Sequence, residues 1–383
     1  MLQFNPSSKT ESLYIHWPFC PYKCSFCPFV TVIGKDDFMA QYNDALIKEI
    51  QKFSEGKRHK IKTIYVGGGT PSSWPEKLLL DTFDTLKDEF DLDDLEEFCL
   101  EVNPGLVTES KLKLWKKIGI NRLSIGVQSL KEKVLQSLSR MQSNSDVFSL
   151  LSKAPEYFEN ISVDLILGLP GVSESEWKDL LDKVVKWKVK HISVYFLTVH
   201  EGTSLYFGVK RNKVSLPPEE SCLSMYDWTA NFLNSNGFCR YEISSFAKPG
   251  YQSKHNEVYW SRKPFKGLGV GACSFDGKSR FQNEKNFLSY LEKIEKNEDI
   301  SIFSEELSKD QEWLEALMLG IRQSKGVLLD ELFFTISEEK KKKILEKIES
   351  LQKADFLRRD TDRVYLTHRG MGLENEVILQ LVS

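Results

Sequence analysis

The sequence predicts an α/β protein in which parallel strands and helices alternate to form a complete or partial (β/α) barrel. Six short runs rich in β-branched, aromatic or leucine residues predict strands, and most of them end at Gly, Pro or Asn. Amphipathic stretches separate these runs, as in βαβ units. Right-handed crossovers would curl six such strands into a TIM-like barrel, with ligands at the carboxyl ends of the strands.

The predicted elements of the barrel follow one another between residues 13 and 197. Strands are predicted at 13–17, 63–66, 97–101, 122–127, 162–167 and 193–197. Helices are predicted at 38–53, 76–90, 109–117 and 174–189. Polar or glycine-rich residues follow every strand, so we expect the six strand ends to face one shared pocket.

Three domains are predicted from the change in pattern along the chain. They are a barrel (1–205), an α+β region (206–304) and a small helical, winged-helix-like domain (305–383). Pro217 and Pro218 predict the start of a helix. Residues 238–275, dense in aromatics and glycine, are expected to be irregular and extended, and 357–366 predict a β-hairpin.

Composition limits the class of function. The 383 residues are 41% hydrophobic and 28% charged, which is ordinary for a globular protein. A net charge of −3 provides no basic excess to neutralise phosphates, so nucleic acid is not an expected partner. The first twelve residues are polar and no apolar run approaches the ~18 residues of a membrane span, so we expect a cytoplasmic protein.

Three of the seven cysteines, Cys20, Cys24 and Cys27, form the pattern C-x3-C-x2-C directly after the first predicted strand. Thiolates suit iron–sulfur clusters and zinc. A [4Fe–4S] cluster usually takes four cysteines, so three would leave one iron open to the amino and carboxylate groups of S-adenosylmethionine. Zinc held with His16 is one alternative, although no second distant ligand pair stands out, and thiols without a metal are another.

The cysteine pattern, the segment Gly67-Gly68-Gly69-Thr70-Pro71 and Glu101 together resemble the radical-SAM superfamily. The resemblance implies a partial six-stranded barrel, a [4Fe–4S] cluster and bound S-adenosylmethionine. It implies that the residues contacting S-adenosylmethionine are Tyr14, Phe26, Gly68, Gly69, Thr70, Glu101, Gln128, Arg140 and Asp164. From the residues alone, the glycines could also form a simple tight turn, and both aromatic side chains could be core packing.

Three further segments resemble the coproporphyrinogen III dehydrogenase group, which contains dehydrogenases and heme chaperones. They are SIGVQS (124–129), DLILGLPG (164–171) and AKPGYQSKHNEVYW (247–260). Three features favour a heme chaperone. Phe29 stands where the dehydrogenases have a further cysteine, only thirteen residues precede Tyr14 where they have a long extension, and the hexapeptide starting at His255 resembles a heme-binding signature, HNxxYW. Oxygen-independent coproporphyrinogen III dehydrogenation is the alternative, and a radical-SAM enzyme with an unrelated substrate is a third.

The heme signature comprises His255, Asn256, Tyr259 and Trp260. The histidine could ligate iron, the asparagine could orient it, and the two aromatic rings could pack against a flat macrocycle. A histidine in an aromatic surface loop without any ligand is the alternative. The resemblance implies heme as cargo, a recipient respiratory hemoprotein at the membrane, an electron donor such as a flavodoxin and a possible homodimer.

Three positions depart from the pattern of the group. Pro28 stands in place of an aspartate, Gln142 in place of a histidine two residues after Arg140, and Cys273 in place of a histidine after Gly-Ala. The two missing histidines put in doubt any heme or cofactor role at those positions, but not the cluster. We expect Cys273 to be a buried structural thiol, with a soft substitute ligand as the alternative.

Overall fold

Six parallel strands form the centre of the structure, a computed structural model that describes Phe4, residues 10–334 and residues 336–383. The strands are β1 (Ser12–Trp17), β2 (Thr63–Gly68), β3 (Glu97–Val102), β4 (Arg122–Gln128), β5 (Asn160–Leu167) and β6 (His191–Phe196). Each strand pairs in parallel with the next one along the chain. All six predicted strands are therefore confirmed, with their ends shifted by at most two residues.

Helices follow the strands and pack against the sheet. They are α1 (Met39–Ser54), α2 (Glu76–Glu89), α3 (Glu109–Lys117), α4 (Glu132–Ser137), α5 (Asn144–Lys153) and α6 (Glu174–Val184). Strand residues such as Leu13 and Ile64 lie in one core with helix residues such as Leu46, and all three are fully buried. Each such side chain contributes about 1.5–3 kcal/mol through burial. The four predicted helices are confirmed, although α6 ends before the predicted residue 189.

Three short strands extend the sheet at its two edges, and three helices precede or separate them along the chain. They are α7 (Ser204–Lys210), α8 (Glu219–Ser235), β7 (Cys239–Arg240), β8 (Ser245–Ala247), α9 (Lys254–Trp260) and β9 (Lys266–Leu268). The strand order is β7-β8-β6-β5-β4-β3-β2-β1-β9, which runs from edge to edge without closing. The barrel is therefore partial, as expected, and α8 begins directly after Pro218.

The helix α9 lies within residues 238–275, so the prediction of an irregular, extended segment was wrong there. Its N-terminus is held by Glu97, the first residue of β3. The Glu97 carboxylate accepts hydrogen bonds from Ser253 Oγ (3.2 Å) and from the backbone N–H groups of Lys254 and His255 (both 3.0 Å). A seven-residue helix is marginal by itself. This cap comes from a strand that is distant in sequence, and the local pattern could not reveal it.

A second, antiparallel sheet follows the barrel, formed by β10 (Cys273–Phe275), β11 (Ser279–Asn283) and β12 (Ser301–Glu306), with α10 (Phe287–Glu295) between the last two. Cys273 is exposed, and its thiol accepts a hydrogen bond from Gln282 Nε2 at 3.4 Å. The expectation that Cys273 is buried was therefore wrong. It lies on an edge strand, where one face of the sheet meets solvent.

The C-terminal region has its own hydrophobic core. Its elements are α11 (Lys309–Ile321), β13 (Val327–Leu328), α12 (Leu329–Phe333), α13 (Glu338–Lys353), β14 (Leu357–Arg359), β15 (Arg363–Leu366), α14 (His368–Gly372) and α15 (Glu374–Val382). The predicted hairpin is the antiparallel pair β14–β15. Helices around a small sheet match the predicted fold class, while the exact domain boundaries stay predictions. Within the described residues, no helix is both long and apolar enough to cross a membrane.

Candidate functional site

The cysteine loop joins β1 to the region before α1 and lies over the carboxyl ends of the strands. Backbone hydrogen bonds fix its turns, from Cys20 N–H to Val32 O (2.9 Å) and from Cys27 N–H to Cys24 O (3.2 Å). Thr70 Oγ1 donates to Cys20 Sγ at 3.2 Å. Burial raises the pKa of Cys20 to about 11 and also raises the pKa of Cys27, so a bound metal would be needed to favour the thiolates.

Two glycines after β2 allow the cysteine loop to approach the sheet. Gly68 has a φ of +111°, and a Cβ there would lie 2.5 Å from the ring of His16. A Cβ on Gly69 would lie 2.5 Å from the carbonyl oxygen of Pro18. A side chain at Gly68 would therefore collide with β1, and one at Gly69 would displace the start of the cysteine loop. The glycine-rich segment is a requirement of this close packing, and the backbone N–H groups of Gly69 and Thr70 hold it by donating to Trp17 O (2.7 Å) and Phe19 O (2.9 Å).

Two buried carboxyl groups line the space beneath the cysteine loop. Glu101 accepts hydrogen bonds from Tyr65 Oη (2.9 Å) and from Gly68 N–H (3.2 Å), and burial raises its pKa to about 7. Asp164 Oδ2 accepts from Ser124 Oγ at 2.9 Å, and burial raises the pKa of this group too. Asp164 Oδ1 is buried and has no hydrogen-bond partner among the described residues. An ammonium or a hydroxyl of a ligand would satisfy this oxygen.

The guanidinium of Arg140 faces the same space and is held by neutral acceptors. Its Nη2 donates to Gly126 O at 2.7 Å, and its Nε donates to Gln142 Oε1 at 2.9 Å. Gln142 is itself anchored, because its Nε2 donates to Val127 O at 2.6 Å. These acceptors orient the cation without neutralising it. Arg140 is thereby available to a ligand carboxylate.

The three cysteines, the two carboxyl groups and the Arg140 guanidinium line one cavity of about 470 Å³. The predicted residues that line it are Cys20, Cys24, Phe26, Cys27, Gly68, Gly69, Thr70, Glu101, Gln128, Arg140 and Asp164. Tyr14 is not among the lining residues: its hydroxyl is 3.0 Å from His16 Nδ1, and its ring lies on that of Tyr65. The structure thus brings together every predicted residue of the cofactor site except Tyr14.

Sequence reasoning missed several residues of the cavity wall. Tyr22 accepts a 2.6 Å hydrogen bond from Asn103 Nδ2, and both side chains line the cavity. Tyr195 and His200, at and beyond the end of β6, line it as well. Asn103 directly follows β3 and His200 follows β6, so their positions after strands were a usable signal. Gln142 does not line the cavity, and the sequence marked it only as a departure from the group's pattern beside Arg140.

The predicted heme residues lie at the opposite, amino end of the barrel, on α9. His255 is fully buried. Its Nδ1 is 2.8 Å from Thr63 Oγ1, and its Nε2 is 2.8 Å from Tyr259 Oη. Burial lowers the pKa of His255 to about 3. Thr63 is the first residue of β2, so α9 forms the floor of the barrel, and neither imidazole nitrogen is free in this conformation.

The other two predicted heme residues, Asn256 and Trp260, are half-buried. The backbone N–H of Asn256 donates to Ser253 Oγ at 3.4 Å, which is an N-cap contact. Trp260 lies toward the C-terminal region, where its carbonyl oxygen accepts a hydrogen bond from Gln323 Nε2 at 3.2 Å. None of the four predicted heme residues lines the cavity. The hexapeptide therefore links the barrel floor to the C-terminal region.

Comparison with known families agrees with this geometry. The family model described as the Radical SAM superfamily matches residues 14–184, and the HemN C-terminal domain matches residues 307–373. The structure of coproporphyrinogen III oxidase (HemN) from Escherichia coli superposes with a TM-score of 0.82, at 23% identity, covering 99% of this chain and 91% of that one. A partial barrel with three cysteines on the loop after β1 defines a radical-SAM protein.

Relatives that match this chain over nearly their whole length identify its family within the radical-SAM proteins. The heme chaperone HemW of Lactococcus lactis is 32% identical, and the match covers 96% of each chain. The heme chaperone HemW of Bacillus subtilis is 33% identical, covering 96% of this chain and 98% of the relative. The chain belongs to the HemW family of radical-SAM proteins.

Membership of the radical-SAM superfamily implies a [4Fe–4S] cluster and S-adenosylmethionine, and the residues present fit both. Cys20, Cys24 and Cys27 supply three soft donors from one loop. The unpartnered Asp164 Oδ1 and the uncompensated Arg140 are complementary to a ligand that carries both donor groups and a carboxylate.

Proposed function

We propose that this chain is a heme chaperone, which binds heme and delivers it to a respiratory hemoprotein at the membrane. The observation that carries the proposal is the identity of 32–33% with heme chaperones HemW over nearly the whole length of both chains. Phe29, which stands where the dehydrogenases of the wider group have a further cysteine, supports the same choice.

The proposed cofactor site is the cavity at the carboxyl end of the barrel. Cys20, Cys24 and Cys27 would each hold one iron of the cluster. S-adenosylmethionine would occupy the remaining iron, and the reduced cluster would supply one-electron reduction of its sulfonium. Within this cavity, Gly69 allows the start of the cysteine loop to pack closely against the end of β2, and the Thr70 hydroxyl donates to Cys20.

The remaining residues of the cavity would bind and orient S-adenosylmethionine. Backbone groups at Gly68, Gly69 and Thr70 would contact its methionine part. Arg140 would bind its carboxylate, and Glu101 would accept hydrogen bonds from its ammonium or ribose. The residues that complete this proposed site are Phe26, Gln128 and Asp164.

The proposed partners follow from the same function. A cluster that must be reduced requires an electron donor, and a flavodoxin-like protein would serve. A homodimer and a membrane-bound recipient hemoprotein complete the proposal.

A direct test uses the full chain, reconstituted anaerobically with iron and sulfide. The protein is titrated with ferric heme, followed by absorbance, and in parallel incubated with coproporphyrinogen III, S-adenosylmethionine and a chemical reductant. We expect saturable heme binding and no protoporphyrinogen IX. Protoporphyrinogen formation at a rate proportional to the protein would contradict the chaperone function and establish the dehydrogenase. A Phe29→Cys variant is the matched control for the missing cysteine, and we expect it to remain without dehydrogenase activity.

A further inference from the structure

The hydrogen bonds of the six histidines restrict which of them can ligate heme iron. In three of them, both ring nitrogens are within hydrogen-bonding distance of other groups and the side chain is buried: His16, His191 and His255. Ligation of iron by any of these would require the hydrogen bond of the ligating nitrogen to break and, for His255, the barrel floor to open. Each buried polar group that is left without a hydrogen-bond partner costs about 1–3 kcal/mol of stability.

Two further histidines lie away from the cavity. The ring of His59 stacks on Phe53 at a centroid distance of 5.0 Å. His368, at the start of α14, has its Nδ1 3.3 Å from Arg240 Nη2 and its Nε2 3.4 Å from Asp227 Oδ1. Neither residue lines the cavity.

Of the six histidines, all of which the structure describes, only His200 lines the cavity, and although His59 also has a ring nitrogen without a hydrogen-bond partner, that nitrogen is buried. His200 is exposed and lines the outer part of the cavity, beyond the end of β6. No hydrogen bond from its ring to a described residue is present, and only its backbone oxygen is used, by the hydroxyl of Thr203 at 2.6 Å. A neutral imidazole with an accessible nitrogen is the usual protein ligand of heme iron.

The cavity wall to which His200 belongs suits a flat apolar molecule with acidic groups at its edge. Phe29 and Tyr195 also line the cavity and are 62% and 44% exposed, so both leave part of an aromatic face open to a ligand. Lys23 also lines it, and its ammonium donates to Phe29 O (3.3 Å) and Thr31 Oγ1 (2.8 Å), both neutral. Aromatic faces pack against a macrocycle, and a cation without a carboxylate partner suits a propionate.

We propose that His200 is the axial ligand of heme, which lies at the mouth of the barrel against Phe29 and Tyr195. This inference rests on the proposed heme-chaperone function and specifies where that function takes place. Ligation forms one iron–nitrogen bond in place of a solvent ligand and changes no oxidation state. His255 then has a structural role, because it holds α9 against β2 at the barrel floor.

The test is a ferric heme titration of the reconstituted full chain, followed by absorbance and electron paramagnetic resonance, for wild type, His200→Ala, His255→Gln and His368→Ala. Loss of a group that supports a metal typically weakens binding by about 10- to 100-fold, so we expect at least about a tenfold higher Kd for His200→Ala. Its histidine-ligated spectrum should disappear and return when free imidazole is added. His368→Ala, a histidine far from the cavity, should match the wild type.

The outcomes separate this inference from the function on which it rests. If the wild type shows no saturable heme binding, the proposed function fails, and the inference fails with it. If the wild type binds heme and His200→Ala keeps the same spectrum and Kd, the function stands and the inference is overturned. A folded His255→Gln protein, judged by circular dichroism, that loses histidine ligation would also overturn it in favour of the barrel floor.

Discussion

The side chain of Tyr65 connects the cofactor cavity to His255 on the barrel floor. Its hydroxyl donates a 2.9 Å hydrogen bond to Glu101 on the cavity side, while its ring stacks on the His255 imidazole at 5.3 Å. One strand residue thus contacts the polar wall of the cavity and the helix that closes the opposite end.

Tyr65→Phe should weaken S-adenosylmethionine binding at pH 7. The hydroxyl stabilises the ionised form of Glu101, so its removal raises the pKa of Glu101 further. A hydrogen bond to a charged group is worth about 1.5–3 kcal/mol, so Kd should rise by roughly tenfold or more, measured by isothermal titration calorimetry. Tyr14→Phe is the control, since its hydroxyl contacts His16 and not the cavity, and we expect no change. If only Tyr14→Phe bound S-adenosylmethionine more weakly, the result would support the resemblance-based assignment of Tyr14 to the cofactor site.

S-adenosylmethionine affinity should increase with pH across neutrality. Burial raises the pKa of Glu101 from its ordinary value of 4.5 to about 7, and only the ionised group attracts an ammonium. Kd measured between pH 6 and 8 should therefore fall as pH rises, and Glu101→Gln should remove this dependence. A wild-type Kd that is constant over this range would show that Glu101 is already ionised or makes no contact.

The same carboxyl group should make the folded state less stable as pH rises. Between its ordinary pKa of 4.5 and the folded value of about 7, the folded chain retains a proton that the unfolded chain has released. This contribution favours folding below pH 4.5 and is lost progressively up to pH 7. In urea unfolding, the stability of Glu101→Gln relative to wild type should therefore increase from pH 5 to pH 7. A constant difference would contradict the raised pKa.

Glu97→Gln should destabilise the barrel floor strongly. Glu97 is 2% exposed and accepts three hydrogen bonds from the start of α9, and Arg122 Nε lies 4.0 Å away. A glutamine at this position would point its N–H2 group at the N–H and O–H donors at the start of α9. It would also leave the Arg122 cation without a carboxylate partner, and we expect the free energy of unfolding to fall by about 2–4 kcal/mol. Glu96→Gln is the matched control, because its 2.7 Å ion pair with Lys254 is half-exposed and should contribute less than about 1 kcal/mol. Equal losses for the two variants would rule out the capping role.

Gln142→Ala should weaken S-adenosylmethionine binding without unfolding the protein. Gln142 is not predicted to contact S-adenosylmethionine itself. It accepts a hydrogen bond from Arg140 Nε and so fixes the direction of the guanidinium. We expect Kd to rise by about 5- to 10-fold, equivalent to one hydrogen bond, and the melting temperature to fall by only a few degrees, because the buried Gln142 also loses its bond to Val127 O. Met141→Ala, at a neighbouring side chain that is 66% exposed, should leave Kd unaltered. If Gln142→Ala binds as tightly as the wild type, Arg140 needs no such support.

The six strands and the cysteine loop could be predicted because their signals are local. Apolar alternation marks each strand, and Cys20, Cys24 and Cys27 lie within eight residues. The clustering of polar residues after the strands was also predictable, because parallel strands end at one edge of the sheet. Tyr14 lies three residues before the end of β1 and does not line the cavity, and its contact with S-adenosylmethionine stays a prediction from the resemblance.

Long-range contacts explain what the sequence could not show. The helix α9 depends on a carboxylate from β3, and the His255 imidazole is satisfied by Thr63 of β2 and by Tyr259. The sequence of the hexapeptide resembles a heme-binding signature, and its role in heme binding stays a prediction; the long-range contacts of its histidine could not be seen in the local pattern. Gln142 is only two residues from Arg140, but its orientation depends on the bond of its Nε2 to Val127 O at the end of β4, which the local pattern does not show.

The central claim is that three cysteines hold a [4Fe–4S] cluster whose fourth iron binds S-adenosylmethionine. The most direct measurement is the electron paramagnetic resonance spectrum of the anaerobically reconstituted, reduced protein, before and after S-adenosylmethionine is added, together with iron and sulfide analysis. We predict about four irons and four sulfides per chain, and a spectrum that shifts on addition of the ligand. Zinc in place of iron, or a cluster spectrum that S-adenosylmethionine leaves unchanged, would contradict the account.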